Sequence, residues 1–158
     1  MIELEIAEEA PGWSALGEAE ATIRRAIEAA LSVAPDAPSS VAVSVLLADD
    51  DAIRELNRSW RGKDKATNVL SFPAPAMPGA PGPRHLGDIA LAYETVLREA
   101  EAEDKTFHDH ATHLLVHGTL HLLGYDHELE ADAEIMESLE VEALHALGIA
   151  NPYHDKAA

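Results

Sequence analysis

Apolar and charged residues alternate at the start of the chain, with Ile2, Leu4 and Ile6 set against Glu3 and Glu5. Period-two alternation marks a half-buried strand. Pro11-Gly12 breaks it. Ser14 is placed to cap a helix over 14–33, with Leu16, Ile23, Ile27 and Leu31 on one face and many alanines favouring it. A Pro- and Ser-rich loop follows, and the apolar, β-branched run 41–48 predicts a central strand. Asp49 is placed to cap a short helix to about residue 60, with Ile53, Leu56 and Trp60 turned inward.

Residues 61–66 form a turn-prone basic loop, and 68–72 a short strand that Pro73 ends. The stretch 73–84 holds five prolines and two glycines, which excludes helix and central strand and predicts a surface loop. Residues 87–93 read as a fourth strand, with Ile89 and Leu91 on one face and Ala90 and Ala92 on the other. A helix over 94–103 follows. Thr106 and Asp109 make a capping signal for a helix that Gly124 stops. That helix is apolar on most of its circumference, which predicts burial. The last helix, 130–147, places Ile135, Leu139, Ala143 and Leu147 on a core face, with Met136 packing beside it and Gly148 as its cap. The order is α+β: a small mixed four-stranded sheet packed with about five helices, one of them central and buried. Neither an internal repeat nor a linker divides the chain, so 1–158 reads as a single domain.

Charge and cysteine content narrow the classes. The formal net charge is −18, which repels phosphates and argues against non-specific nucleic-acid binding over the whole surface. No DNA or membrane partner is expected. Zero Cys, an acidic start without a basic or apolar leader region, and the lack of a long apolar run point to a cytoplasmic protein. The positive charge is concentrated, because Arg54, Arg58, Arg61, Lys63 and Lys65 lie in one short stretch opposed there only by Glu55 and Asp64. Such an island fits either one local anionic partner or a solvated helix end.

The chemistry gathers at 113–127. His117 and His121 are four apart, which places them one turn apart on one helix face, with Cβ atoms roughly 5–6 Å from each other. Gly124 lets the chain turn and bring His127 back to the same point. Three neutral imidazoles with an open fourth position make a catalytic zinc site, one ion per chain. A closed structural site with Asp126 or Glu130 as fourth ligand is the alternative, although closed zinc sites favour thiolates and this chain has none. His110, His113, His117 and His121 fall within roughly 80° of arc, and a buried histidine stripe needs polar partners.

The spacing H-x-x-x-H-x-x-G-x-x-H is that of metzincin peptidases, in which a Glu after the first His is the general base. Here that position is Gly118. The missing base and the basic island lean toward a phosphodiester substrate, with Arg61 offsetting its charge.

His117-Gly-Thr-Leu-His-Leu-Leu-Gly-Tyr-Asp-His127 resembles the signature of the YbeY endoribonucleases, the rRNA maturation factors of bacteria. So do Arg61-Gly-Lys-Asp-Lys-Ala-Thr-Asn-Val-Leu-Ser-Phe-Pro73 and Leu86-Gly-Asp-Ile89. The resemblance implies a metal-dependent, single-strand-specific endoribonuclease acting in small-subunit rRNA 3′-end maturation and ribosome quality control. It implies zinc on His117, His121 and His127, and a functional role for Arg61. Single-stranded RNA would be met at a cleft where Arg61, Lys63 and Lys65 converge, with the ribosome or small-subunit assembly proteins as partners. His113 is expected to orient a neighbour or pack, and supporting roles behind the ligands are open to Asp88 and Asp126. The competing readings are a metzincin-like peptidase or other metal hydrolase, and a non-catalytic ribosome-assembly factor with structural zinc.

Overall fold

A computed structural model describes residues 1–35, 37–75, 77, 79, 81–126 and 129–153, and among these described residues it has four strands and five α-helices. The strands are β1 (Ile2–Glu8), β2 (Val41–Ala48), β3 (Val69–Pro73) and β4 (Arg84–Ala92). The helices are α1 (Ala19–Val33), α2 (Asp50–Arg61), α3 (Tyr93–Ala102), α4 (Phe107–Leu122) and α5 (Glu130–Ala146), and a short 3-10 helix, Pro11–Leu16, precedes α1. Among the described residues, no helix is long and apolar enough to cross a membrane.

The strands form one mixed sheet in the order β1-β2-β4-β3. β1, β2 and β4 run parallel, and β3 joins the edge antiparallel to β4. The α+β architecture with a small mixed sheet therefore stands as expected. β2 is central and covered on both faces. Val41, Val43, Val45 and Leu47 enter the main core with α1, α4 and α5, while Ala48 meets Ile53 of α2 in a smaller cluster. Alternate side chains of a strand point to opposite faces, which is why one β-branched run serves both.

β4 starts three residues before the expected strand because a bulge hides its alternation. Its pairing with β2 shifts between His85 and Gly87, and the extra residue lets Leu86 and Ile89 both enter the main core. The bulge requires glycine. Gly87 has φ +136°, and a Cβ there would stand 2.2 Å from the Phe72 carbonyl oxygen.

Three other expectations change. Ser14 does not cap α1; it lies in the 3-10 helix, and Gly17 at φ 70° separates the two helices. The 3-10 turn buries Trp13, whose indole donates 2.8 Å to the Ala48 carbonyl and whose ring packs on Tyr93 and Phe107. Trp60 does not face inward: it is 73% exposed. The buried line of α2 runs from Ile53 to Asn57, and the last turn carries Trp60 onto a cleft instead. Finally, of the residues expected on the core face of α5, Ala143 is buried and Leu139 and Leu147 pack against the core with Met136 beside them, but Ile135 is 53% exposed, and Glu140 and Leu144 turn inward instead.

α4 is the buried helix the apolar pattern predicts. Its first turn is capped by Thr106, whose hydroxyl accepts from the Asp109 amide at 3.0 Å. Asp49 caps α2 in the same way, accepting from the Ala52 amide at 2.8 Å.

Candidate active site

The site is built where the second half of α4 meets the sheet edge. Gly118 is buried against β3 and β4, and a Cβ there would lie 3.2 Å from Ile89 Cγ2 and 3.2 Å from Ser71 Oγ. Close approach of helix and sheet thus makes a larger side chain at this position displace its neighbours. The glutamate that would serve a metzincin-like peptidase would have to push Ile89 and Ser71 aside.

Flanking that glycine, His117 and His121 line one cleft of about 1400 Å³ together with Arg61, Asp88 and Asp126. Trp60, Phe72 and Asn68 contribute to its walls. His127, the third expected ligand, lies outside the described residues. Among the described residues, no group of three His, Cys, Asp or Glu side chains is gathered to hold a metal ion.

Behind the histidines sits Glu140, whose side chain is 1% exposed. Its Oε1 lies 2.7 Å from His113 Nε2, and its Oε2 lies 3.2 Å from His117 Nδ1. The Tyr153 hydroxyl donates to Oε1 at 2.8 Å. Burial alone would raise this carboxyl, but the hydrogen bonds and charges of His113 and His117 overcome it and lower the group from 4.5 to about 2. Burial first, and then the Glu140 charge, push the Tyr153 phenol well above its ordinary range.

An ionised carboxylate only accepts, so the ring nitrogens facing it carry protons. In the tautomer that this contact favours, His117 carries a proton on Nδ1 and presents Nε2 as its acceptor nitrogen. This is the carboxylate–histidine arrangement found behind metal-ligating imidazoles, and it raises ligand basicity. His117 and His121 are the described imidazoles that would contribute to such a site. His113 commits Nε2 to Glu140, and its Nδ1 is buried with no hydrogen-bond partner among the described residues. It packs and orients, as expected. One turn earlier, His110 Nε2 meets Glu99 at 2.8 Å, and Glu99 also accepts from Asn68 at 3.0 Å.

Glu140 is absent from the sequence-level site. Its signal was there: an acidic residue in step with Met136, Ala143 and Leu144, in a chain whose histidine stripe needs buried partners.

The basic island divides. Arg54 pairs with Asp64 at 2.7 Å, and Arg58 pairs with Glu55. Among the described residues, Arg61, Lys63 and Lys65 make no ion pair. Arg61 is the last residue of α2, before Gly62 at φ 69°, and it reaches the cleft. Lys63 and Lys65 are exposed in the following loop and are not among the described residues that line it. Asn57 holds that loop against α2, donating 2.9 Å to the Lys65 carbonyl.

The family model for endoribonuclease YbeY matches residues 12–148. The endoribonuclease YbeY of Rhodopseudomonas palustris (strain BisA53) is 53% identical over 148 residues, covering 91% of this chain and 86% of that protein. The endoribonuclease YbeY of Chelativorans sp. (strain BNC1) is 54% identical over 142 residues, covering 89% of this chain and 86% of its own. The solution structure of TM1509 from Thermotoga maritima has a TM-score of 0.55 at 26% identity, covering 94% of this chain and 92% of that one.

Proposed function

The chain belongs to the YbeY endoribonuclease family, and from that premise we propose that it is a metal-dependent, single-strand-specific endoribonuclease. Its role is maturation of the small-subunit rRNA 3′ end and ribosome quality control, in the cytoplasm, with the ribosome or small-subunit assembly proteins as partners. The observation that carries the reading is the shared cleft, in which Arg61 faces the same space as His117 and His121.

His117, His121 and His127 would hold one zinc ion. When bound, zinc supplies Lewis acidity and brings the pKa of a coordinated water to about 7. The chain's own residues do the rest. Glu140 would hold a proton on Nδ1 of His117, so that Nε2 is the nitrogen that would meet the ion. Arg61 binds the scissile phosphate through its forked guanidinium and stabilises the negative charge that grows there. Lys63 and Lys65, beside it in the loop, attract the flanking strand. The rest of the acidic surface keeps RNA away from other faces, so binding is local and salt-sensitive.

The test compares wild type with Arg61→Ala on a single-stranded RNA and on the same sequence in a duplex. Wild type should cleave only the single strand, and Arg61→Ala should lose roughly 10²–10³-fold in kcat. Equal cleavage of both RNAs, or an Arg61→Ala variant as fast as wild type, would overturn the reading.

A further inference from the structure

Trp60 has no packing reason to stand where it does. The chain's other tryptophan, Trp13, is fully buried with its indole hydrogen-bonded, whereas Trp60 is 73% exposed. Its ring lies beside Phe72 of β3, with centroids 6.3 Å apart and planes inclined at 60°. Both rings line the cleft that holds His117, His121 and Arg61.

We propose that Trp60 is a stacking platform for one unpaired nucleobase of the RNA substrate, with Phe72 bracing the platform and Arg61 taking a neighbouring phosphate. This assignment rests on reading the cleft as an RNA site. Charge selects the occupant. Arg54 and Arg58 are neutralised by Asp64 and Glu55, while Arg61, which follows Trp60 and lines the same cleft, has no ion-pair partner among the described residues. A flat aromatic surface beside a guanidinium without an ion-pair partner matches a ligand that joins anionic groups to aromatic faces, which is a nucleic-acid strand. The platform also accounts physically for single-strand selectivity. A base inside a duplex has both faces covered by its neighbours, and only an unstacked base can lie on an indole.

The experiment uses the full chain. Steady-state kinetics on a single-stranded RNA would be measured for wild type, Trp60→Ala and Trp60→Phe, with a thermal melt of each. Trp60→Ala should raise KM roughly tenfold or more with kcat within about twofold, and Trp60→Phe should recover most of the loss. Because Trp60 is exposed, the melts should coincide. In parallel, tryptophan fluorescence would be monitored as oligouridylate is added under chelator, with Trp60→Phe as the control that retains only Trp13. Wild type should be quenched and the control should not. Wild type that cleaves RNA with an unchanged KM in Trp60→Ala and no quenching would overturn the platform and leave the nuclease reading standing. Quenching without cleavage would support the platform and refute the nuclease reading. Neither cleavage nor quenching would overturn both.

Discussion

Replacing Glu140 by Gln changes one atom, yet it breaks the match between a carboxylate and three hydrogen-bond donors. Those donors are His113 Nε2 at 2.7 Å, His117 Nδ1 at 3.2 Å and the Tyr153 hydroxyl at 2.8 Å. A glutamine accepts on one side and donates on the other. Whichever way the amide turns, one histidine faces N–H against N–H. If that ring is His117, it relieves the clash by moving its proton to Nε2, which removes the lone pair that would bind a metal. Each charge-assisted bond lost costs about 1.5–3 kcal/mol. The lowering of Glu140 from 4.5 to about 2 has the same sign. Glu140→Gln should therefore stand about 2–3 kcal/mol below wild type near neutral pH, measured by urea denaturation of the metal-free protein.

The same shift sets the sign of the pH dependence. A carboxyl whose pKa falls on folding stabilises above its unfolded value, so this contribution is complete above about 4.5 and is lost toward about 2. Glu140→Gln should lack that part of the acid slope. Zinc affinity, read by chelator competition, should fall about 10–100-fold. A variant within about 0.5 kcal/mol of wild type, with unchanged zinc affinity, would refute the reasoning.

Two glycines give further tests. Gly87→Ala forces a Cβ to 2.2 Å from the Phe72 carbonyl oxygen at φ +136°, and should cost about 3 kcal/mol or more in urea denaturation. Gly118→Glu restores the glutamate of the peptidase pattern where a Cβ already stands 3.2 Å from Ile89 and Ser71. It should lower stability by about 3 kcal/mol or more and give no casein hydrolysis.

Much of the fold was legible in the chain. The Ile2, Leu4, Ile6 alternation, the β-branched run of β2, the Asp49 and Thr106 caps and the buried histidine helix all come from local physics, and all are found. The phase of α5 was only partly legible, because two apolar stripes compete on it. One runs through Ile135, Leu139, Ala143 and Leu147, the other through Met136, Ala143 and Leu144. The second is buried, and it carries Glu140 to the histidines. Trp60 misled because period alone places it with Ile53 and Leu56, and period does not say where the covering sheet ends. The start of β4 was hidden by its bulge. At the site, the histidine pair and Arg61 could be read from spacing and charge, whereas their convergence on one cleft depends on strand order, which is non-local.

The most direct test of metal-dependent RNA cleavage uses a single-stranded RNA carrying a small-subunit rRNA 3′ end. Wild type and His121→Ala would be purified identically and assayed with and without chelator. Cleavage by wild type only, abolished by chelator and restored by zinc, is the predicted result. Equal cleavage by both proteins, or cleavage by wild type that chelator does not touch, would contradict it.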